Sequence, residues 1–273
     1  MSKQIRFTKL FNRKSEKTVL LPIDHGVTLG PLAGIRDIQS IIQTACDHHI
    51  QGVVGHKGII RSAIDAGGSL LNTEFILHMS ASTTMGPDQT RKQIVTSVQH
   101  ALALGVTGIS LHINFGVQEE PAMLKDLGNI CDAAYQWGMP VLAMINVHNE
   151  SITSQIAYSR SIAHAVRCVG ELGADLCKIE HPGSMPALID SIQSFQIPVL
   201  IAGGGKEEDK YKWFSNLYEA IQAGARGVCI GRNVFEDRDP GLMLQALNAM
   251  VHEYKTPDEI YSNYQIDRVN AYI

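Results

Sequence analysis

Short apolar runs alternate with amphipathic helical patterns along most of this sequence, and no two neighbouring runs are joined by a hairpin turn. Parallel strands require such helical crossovers, so eight repeats of the pattern predict a parallel sheet closed into a TIM (β/α)8 barrel. The predicted strands are Thr18–Asp24, Gly52–His56, Glu74–Met79, Gly108–Ile113, Pro140–Asn146, Asp175–Ile179, Pro198–Ala202 and Gly227–Ile230. The predicted helices are Arg36–His48, Asp88–Leu104, Glu119–Trp137, Ile152–Leu172, Met185–Phe195, Lys210–Ala223 and Leu242–Tyr254.

The length and composition suit one α/β barrel. With 273 residues, of which 45% are hydrophobic, the chain can bury a large core. Polar residues collect at the ends of many predicted strands, which favours a barrel rim over the single switch point of an open sheet. No linker divides the sequence, so residues 1–273 are predicted to form a single domain, with a lead-in at 1–17 and a C-terminal extension at 255–273.

Charge and cysteine usage argue against several classes of protein. The net charge of −4 disfavours a general binder of nucleic acid or of anionic membranes, which usually carries a basic excess. The five cysteines are scattered and never spaced as C-x-x-C, so they are interpreted as buried thiols of a reducing compartment. No run reaches the roughly 18 apolar residues of a membrane-spanning helix. We therefore expect a soluble cytoplasmic protein.

One lysine, Lys178, lies inside an apolar run with strand character. If Leu176–Ile179 is a strand, Cys177 and Ile179 face the outer helices, and Lys178 points into the barrel or towards its mouth. Burial of an ammonium lowers its pKa and yields the neutral amine that forms a Schiff base with a carbonyl. A lysine that reaches solvent, or that pairs with a neighbouring carboxylate, is the alternative left open by this stretch alone.

Glycine-rich turns follow the last two predicted strands, as Ala202-Gly-Gly-Gly-Lys206 and Ile230-Gly-Arg-Asn233. Glycines let backbone N–H groups approach an oxyanion closely, and a lysine or arginine beside them can neutralise its charge. The corresponding two loops of TIM barrels often bind phosphate. The predicted phosphate-binding residues are Gly203, Gly204, Gly205, Lys206, Gly231 and Arg232.

Other polar residues at the strand ends are candidates for the same site. Asp24 ends the first strand, where its carboxylate could hold the charge of an amine or move protons, or could merely order a turn. His148 and Glu180 are the candidate catalytic acid or base, because they follow the fifth and sixth strands. Solvated loop histidines and satisfied core hydrogen bonds are the alternatives. The remaining candidates for contacting substrate are His25, His56, Lys57, His112 and Asn146.

No metal site and no cofactor are predicted. Several histidines and carboxylates could converge at the barrel mouth, but the sequence has no H-x-H or H-E-x-x-H spacing. Scattered ligand types without such a motif are weak evidence for a metal centre.

Five segments resemble, in the same order, the archaeal-type class I (DeoC/FbaB-like) aldolase family. They are Leu21–Leu32, His56–Arg61, Gly173–Lys178, Ile201–Gly205 and Gly231–Phe235. The resemblance implies a TIM barrel in which Lys178 forms a Schiff base, Asp24 moves protons and the two glycine loops hold a sugar phosphate. It also implies a ring-like homo-oligomer, for which a decamer is one expected size.

Within this family the first half of the chain is most similar to the 2-amino-3,7-dideoxyheptulosonate synthases, which join a ketose-phosphate fragment to aspartate semialdehyde. The function implied is formation or cleavage of a carbon–carbon bond in a phosphorylated ketose or dihydroxyacetone phosphate. The alternatives are a fructose-bisphosphate aldolase, a phosphate-keto thiolase that uses coenzyme A, and a non-catalytic sugar-phosphate binder.

Two positions depart from the family pattern. The family's tyrosine acid/base after the fifth strand corresponds to Asn146, and the segment after the lysine is His181-Pro-Gly-Ser184 instead of Tyr-Thr-Gly-Asp. An amide cannot perform the proton transfer of a phenol. Our hypothesis from the sequence is that His148 or Glu180 takes this role.

Overall fold

Eight parallel strands close into a barrel in the computed structural model, which describes residues 2–148, 154–205 and 207–270. In chain order, which is also the order around the barrel, they are β1 Thr18–Pro22, β2 Gly52–Gly55, β3 Glu74–His78, β4 Gly108–Phe115, β5 Val141–Val147, β6 Leu176–Ile179, β7 Val199–Ala202 and β8 Gly227–Cys229. The barrel closes where β1 pairs with β8. The prediction of a (β/α)8 barrel is therefore confirmed.

Helices cover the outside of the barrel and connect its strands. The α-helices are Lys3–Lys9, His25–Leu29, Ile38–Asp47, Lys57–Ala66, Val98–Ala103, Glu120–Trp137, Gln155–Glu171, Met185–Gln193, Lys210–Gln222, Arg232–Phe235, Pro240–Glu253 and Pro257–Asn270. Short 3₁₀ turns lie at Ala33–Ile35 and Gly68–Leu71. No helix in the described ranges combines the length and the apolar character that crossing a membrane requires.

The alternation of side chains along each strand divides the core into two parts. On β6, Cys177 and Ile179 belong to the large apolar layer between strands and helices, as their spacing predicts. Leu176 belongs to the smaller cluster that fills the barrel interior, together with Leu142 and Met144 of β5. Because Lys178 is two residues from Leu176, it shares the interior face.

The N-terminal segment closes one end of the barrel. Leu10, just after the first helix, is buried in the interior cluster, and Phe7 and Phe11 pack against that cluster. Arg6 donates a hydrogen bond to the Val106 carbonyl over 2.7 Å. The opposite end, where the strands have their carboxyl termini, is left for polar side chains.

The segment before β4 differs from the predicted helix Asp88–Leu104, which was wrong over residues 88–97. The Asp88 carboxylate accepts a hydrogen bond from the Thr90 backbone N–H, which forms a turn rather than a helix start. Gln93–Ile94 then pairs antiparallel with Ser80–Ala81, and the helix begins only after Ser97. Helix Lys57–Ala66 and the two terminal helices were not predicted.

Candidate active site

A cavity of about 160 Å³ opens among the carboxyl ends of β4 to β8. It brings together nine of the residues predicted from the sequence, which come from six separate loops or strand ends. These are Lys178, Glu180, Gly203, Gly204, Gly231, Arg232, His25, His112 and Asn146. Met144, Ile145, Ala202 and Cys229 complete the walls.

Lys178 is half-buried in the wall of this cavity. Within the described ranges its amine has no hydrogen-bond or ion-pair partner, although two carboxylates are close in sequence. Asp175 instead pairs with Lys3 at 2.8 Å, and Glu180 accepts a hydrogen bond from the Tyr158 hydroxyl at 2.9 Å. In this structure Lys178 is therefore not paired with either of the carboxylates that are close to it in sequence.

Asp24 lies two residues after the end of β1 and is 7% exposed. Its two carboxylate oxygens lie 3.5 Å from Nδ1 of His25 and 3.6 Å from Nε2 of His78. Burial raises the pKa of Asp24, but the attraction of these imidazoles, of His112 and of Lys178 outweighs it and holds the pKa below its ordinary value. Asp24 is therefore an ionised carboxylate next to His25, which lines the cavity.

The carbonyl groups of the glycine loop after β7 are held by side-chain hydrogen bonds. Asn233 donates hydrogen bonds to the carbonyls of Gly203 and Gly205, at 2.9 and 2.7 Å, and Arg232 donates to that of Gly204 at 3.3 Å. None of the N–H groups of these three glycines has a partner among the described residues. The loop thus offers free donors to an anion. Lys206 lies outside the described residues.

The loop after β8 contributes a cation and a close backbone approach. Arg232 is half-buried, lines the cavity and forms no ion pair in the described part of the chain. At Gly231 a side-chain Cβ would lie 2.6 Å from the ring of His25 and 2.7 Å from the Pro22 carbonyl oxygen. Glycine is required there because this loop packs directly against β1.

Asn146 and Glu180 line the cavity with their polar groups already oriented. The Asn146 amide donates a hydrogen bond to the Asn114 side chain at 3.0 Å. Glu180 is exposed at the mouth and is held by Tyr158, whose pKa is raised by burial and by the Glu180 charge. Tyr158 has no sequence signal, because its proximity to Glu180 depends on how helix Gln155–Glu171 docks on β6.

Four other predicted residues lie elsewhere. His148 is exposed and does not line the cavity, and Gly205 lines only a neighbouring hollow. His56 and Lys57 line a second, mainly apolar cavity, where Lys57 donates a hydrogen bond to the Val95 carbonyl at 2.9 Å. The cavity around Lys178 is thus formed without these four residues.

His78 is not among the site residues predicted from the sequence, although it ends β3 and is 1% exposed. Its ring packs edge-on against the rings of His56 and His112, with centroids 5.2 and 4.8 Å away. Burial lowers the pKa of His78 to about 4, despite the opposing attraction of Asp24. The sequence did contain a signal that His78 faces the barrel interior, because it lies two residues beyond Ile76, which faces that interior.

The sequence is similar to those of two enzymes named as synthases. It is 34% identical over 262 residues to the 2-amino-3,7-dideoxy-D-threo-hept-6-ulosonate synthase 1 of Archaeoglobus fulgidus, a match that covers 95% of each chain. It is 32% identical over 255 residues to the 2-amino-4,5-dihydroxy-6-oxo-7-(phosphonooxy)heptanoate synthase of Streptomyces griseus, covering 93% of this chain and 92% of the relative.

The fold is similar to that of a solved aldolase. A crystal structure of an archaeal fructose 1,6-bisphosphate aldolase superimposes with a TM-score of 0.82 at 27% identity, covering 92% of this chain and 99% of that one. The sequence profile of the DeoC/LacD family aldolases matches residues 18–237, which include all eight barrel strands. These findings confirm the resemblance seen in the sequence motifs and show that the chain is an enzyme of aldolase type. The chain belongs to the DeoC/LacD family of aldolases.

Proposed function

We propose that the protein is a Schiff-base enzyme that joins a phosphorylated ketone to an aldehyde, or cleaves the product of that reaction. The observation that carries this proposal is one cavity that contains the Lys178 amine, the N–H groups of Gly203 and Gly204, and Arg232, where neither the amine nor these N–H groups have a partner among the described residues. A nucleophilic amine and an anion site in one cavity suit a substrate with a ketone close to a phosphate.

The chemistry follows from the roles of these groups. The Lys178 amine adds to the ketone carbonyl, and loss of water gives an iminium that withdraws electrons from the adjacent carbon. Loss of a proton from that carbon gives an enamine, which attacks the aldehyde carbonyl and forms the new bond. Water then hydrolyses the iminium and restores Lys178. Asp24 stabilises the cationic intermediates, because its carboxylate is ionised and close enough to Lys178 for their charges to interact.

The acceptor is proposed to be aspartate semialdehyde, on the strength of the product named for the Streptomyces griseus relative. In 2-amino-4,5-dihydroxy-6-oxo-7-(phosphonooxy)heptanoate the aldol bond joins carbon 4 to carbon 5, which is next to the ketone. Its cleavage yields 2-amino-4-oxobutanoate, which is aspartate semialdehyde, and dihydroxyacetone phosphate. The proposed donor, dihydroxyacetone phosphate, has the ketone and phosphate that the cavity is suited to hold.

The test is to incubate the enzyme with dihydroxyacetone phosphate and aspartate semialdehyde and to identify the product by mass and NMR. We expect a seven-carbon aldol adduct that forms without coenzyme A. Parallel reactions with glyceraldehyde 3-phosphate and simple aldehydes measure acceptor preference. Product formation that requires coenzyme A would indicate a thiolase, and donor binding without turnover of any acceptor would indicate a binding protein.

Replacing Arg232 by glutamine is expected to weaken binding of the phosphorylated donor. Its guanidinium lines the cavity and has no competing ion pair in the described ranges, so its removal leaves the phosphate less well neutralised. Loss of such a partly buried charge partner costs about 2 kcal/mol, or about a 30-fold increase in KM. Steady-state kinetics measure this change, with Arg167→Gln on the exposed face of helix Gln155–Glu171 as control. An unchanged KM would contradict a phosphate site at this loop.

A further inference from the structure

The imidazoles of His78 and His112 are hydrogen-bonded to each other beside the cavity. Neither ring has a role in the Schiff-base steps at Lys178. His112 lines the cavity, whereas His78 is buried and lines the second, mainly apolar cavity. His112 is in register with Met144, and Met144 with Lys178, so the two residues occupy one level of the barrel wall. With neighbouring strands about 4.8 Å apart, their backbones are separated by about 10 Å, and both side chains project inwards.

The contacts of His78 leave each of its ring nitrogens engaged. Its Nδ1 lies 2.8 Å from the Ser110 hydroxyl, and its Nε2 lies 3.1 Å from Nδ1 of His112 and 3.3 Å from the Ser80 hydroxyl. Ser80 also accepts a hydrogen bond from the His112 backbone N–H at 2.9 Å. The Ser80 hydroxyl is therefore free to donate its own proton to Nε2 of His78.

The contacts at Nε2 of His78 are compatible with a tautomer of His112 that leaves its Nε2 lone pair free. When Nε2 of His78 is an acceptor, Nδ1 of His112 carries the proton that lies between the two rings. The lone pair of His112 is then on Nε2, which has no hydrogen-bond partner among the described residues. Burial, with a further contribution from His78, also holds the pKa of His112 well below its ordinary value, so the ring is neutral.

A nearby carboxylate can stabilise the cation that forms when His112 is protonated. Asp24 Oδ2 lies 3.6 Å from Nε2 of His78, the same nitrogen that accepts the hydrogen bond from His112. A proton gained at Nε2 of His112 therefore leaves its positive charge on a pair of rings that adjoins an ionised carboxylate. The arrangement extends the familiar imidazole–carboxylate pair by one additional imidazole.

We propose that Nε2 of His112 is the acid/base group of the reaction, and that His78 is a positioning residue that holds its tautomer and orientation. The inference rests on the proposed Schiff base at Lys178. His112 removes a proton from the carbon next to the iminium, and the electrons of that C–H bond form the enamine. After the enamine attacks the aldehyde, the same proton passes from Nε2 to the new alkoxide, which becomes a hydroxyl.

The same residues have a spacing that a cation could also use. One donor atom each from Asp24, His78 and His112 lies within 4.8 Å of the others. The hydrogen bond between the two imidazoles, however, uses the ring nitrogens that face each other, and a cation bound between them would have to break it. A proton-transfer role keeps every contact of the network.

The experiment separates proton transfer from imine formation. The enzyme is incubated with dihydroxyacetone phosphate in D2O without an acceptor, and NMR follows exchange of the hydroxymethyl hydrogens next to the ketone. Borohydride trapping and mass spectrometry measure the Schiff base in the same samples. Wild type, His112→Gln, His78→Gln and Glu180→Gln are compared, with His164→Gln on an exposed helix face as the matched control.

We expect His112→Gln to slow exchange by about 10³-fold while the trapped adduct is retained, because only the base is removed. His78→Gln is expected to slow exchange by about tenfold with the donor KM unchanged, as for other partners that orient an imidazole. His164→Gln should exchange at the wild-type rate. His112→Asn repeats the measurement with a shorter side chain, so that the result does not depend on the folding of one variant.

Other outcomes overturn the inference. His112 is not the acid/base group if exchange is unchanged in both of its variants, or if exchange is lost only in Glu180→Gln. If the His112 variants lose both the trapped adduct and the exchange, the role of His112 is structural. Exchange that EDTA abolishes and zinc restores identifies the cluster as a metal site. If the wild-type enzyme gives no adduct, the proposed Schiff-base function fails, and the role of His112 fails with it.

Discussion

Replacing Lys178 by methionine is expected to abolish turnover, with a loss on the order of 10⁴-fold or more, and to eliminate the adduct trapped by borohydride with dihydroxyacetone phosphate. Methionine keeps the length and apolar stem of the side chain but removes the amine. Lys178→Arg tests charge separately, because a guanidinium keeps the positive charge near Asp24 without forming an imine. We expect both variants to remain folded, since the amine forms no hydrogen bond or ion pair within the described ranges.

Peptide mapping of the trapped wild-type enzyme identifies the modified lysine. A second candidate amine is that of Lys92, which is half-buried, donates a hydrogen bond to Ser82 at 2.6 Å and is attracted by the Asp24 charge. The proposed nucleophile would be contradicted by an adduct that maps to Lys92 in the wild-type enzyme. It would also be contradicted if the Lys178→Met variant formed an adduct at the wild-type yield. Lys125→Arg, on an exposed face of helix Glu120–Trp137, is the matched control and should be trapped normally.

Much of the barrel and part of the site could be predicted from the sequence because they depend on local patterns. Strand alternation places Cys177 and Ile179 in the outer layer, so it also places Lys178 on the inner face. Parallel connectivity brings the carboxyl ends of all strands to one rim, which is why the loops at Gly203 and Gly231 reach the same cavity as Lys178. Neither inference needs knowledge of how a helix docks.

The remaining features depend on contacts between distant segments. The paired rings of His78 and His112, and the hydroxyl of Ser110 beneath them, come from neighbouring strands whose register a single sequence does not reveal. Helix docking likewise decides that Tyr158 reaches Glu180. The predicted helix at Asp88 failed for a local reason. The Asp88 carboxylate accepts a hydrogen bond from the N–H of Thr90, and this bond competes with helix formation.

Acidification from pH 6.5 to about pH 4 is expected to lower the free energy of unfolding by about 3 kcal/mol through His78 alone. Burial lowers the pKa of His78 in the folded protein to about 4, from its ordinary value of 6.5. In that window the unfolded chain binds a proton at this imidazole and the folded chain does not. The unfolded state therefore binds more protons, and the free energy of unfolding falls as the pH falls.

Other groups also change how strongly acid lowers the free energy of unfolding, and the direction of each effect follows from its charge. His112 is hydrogen-bonded to His78, and the charges that act on His78 are those of Asp24, which favours its protonation, and of His56, Lys178 and Lys92, which oppose it. Burial also lowers the pKa of His252 to about 4, where its ring bonds to the side chains of distant segments, so it adds to the loss of stability in acid. The decline should thus be steeper than His78 alone would cause.

Chemical denaturation at a series of pH values measures the effect, and the variant His78→Gln separates the contribution of this one ring. Glutamine lacks a titratable group, so the decline in unfolding free energy between pH 6.5 and pH 4 should be shallower than in wild type by about 3 kcal/mol. The absolute stability of this variant also changes, because the hydrogen bond to Ser110 is lost, so the slope with pH is the decisive quantity. His164→Gln, which replaces an exposed ring, is the control. A His78→Gln slope equal to that of wild type would mean that His78 titrates alike in the folded and unfolded states, and would remove the physical basis for a neutral imidazole pair beside Asp24.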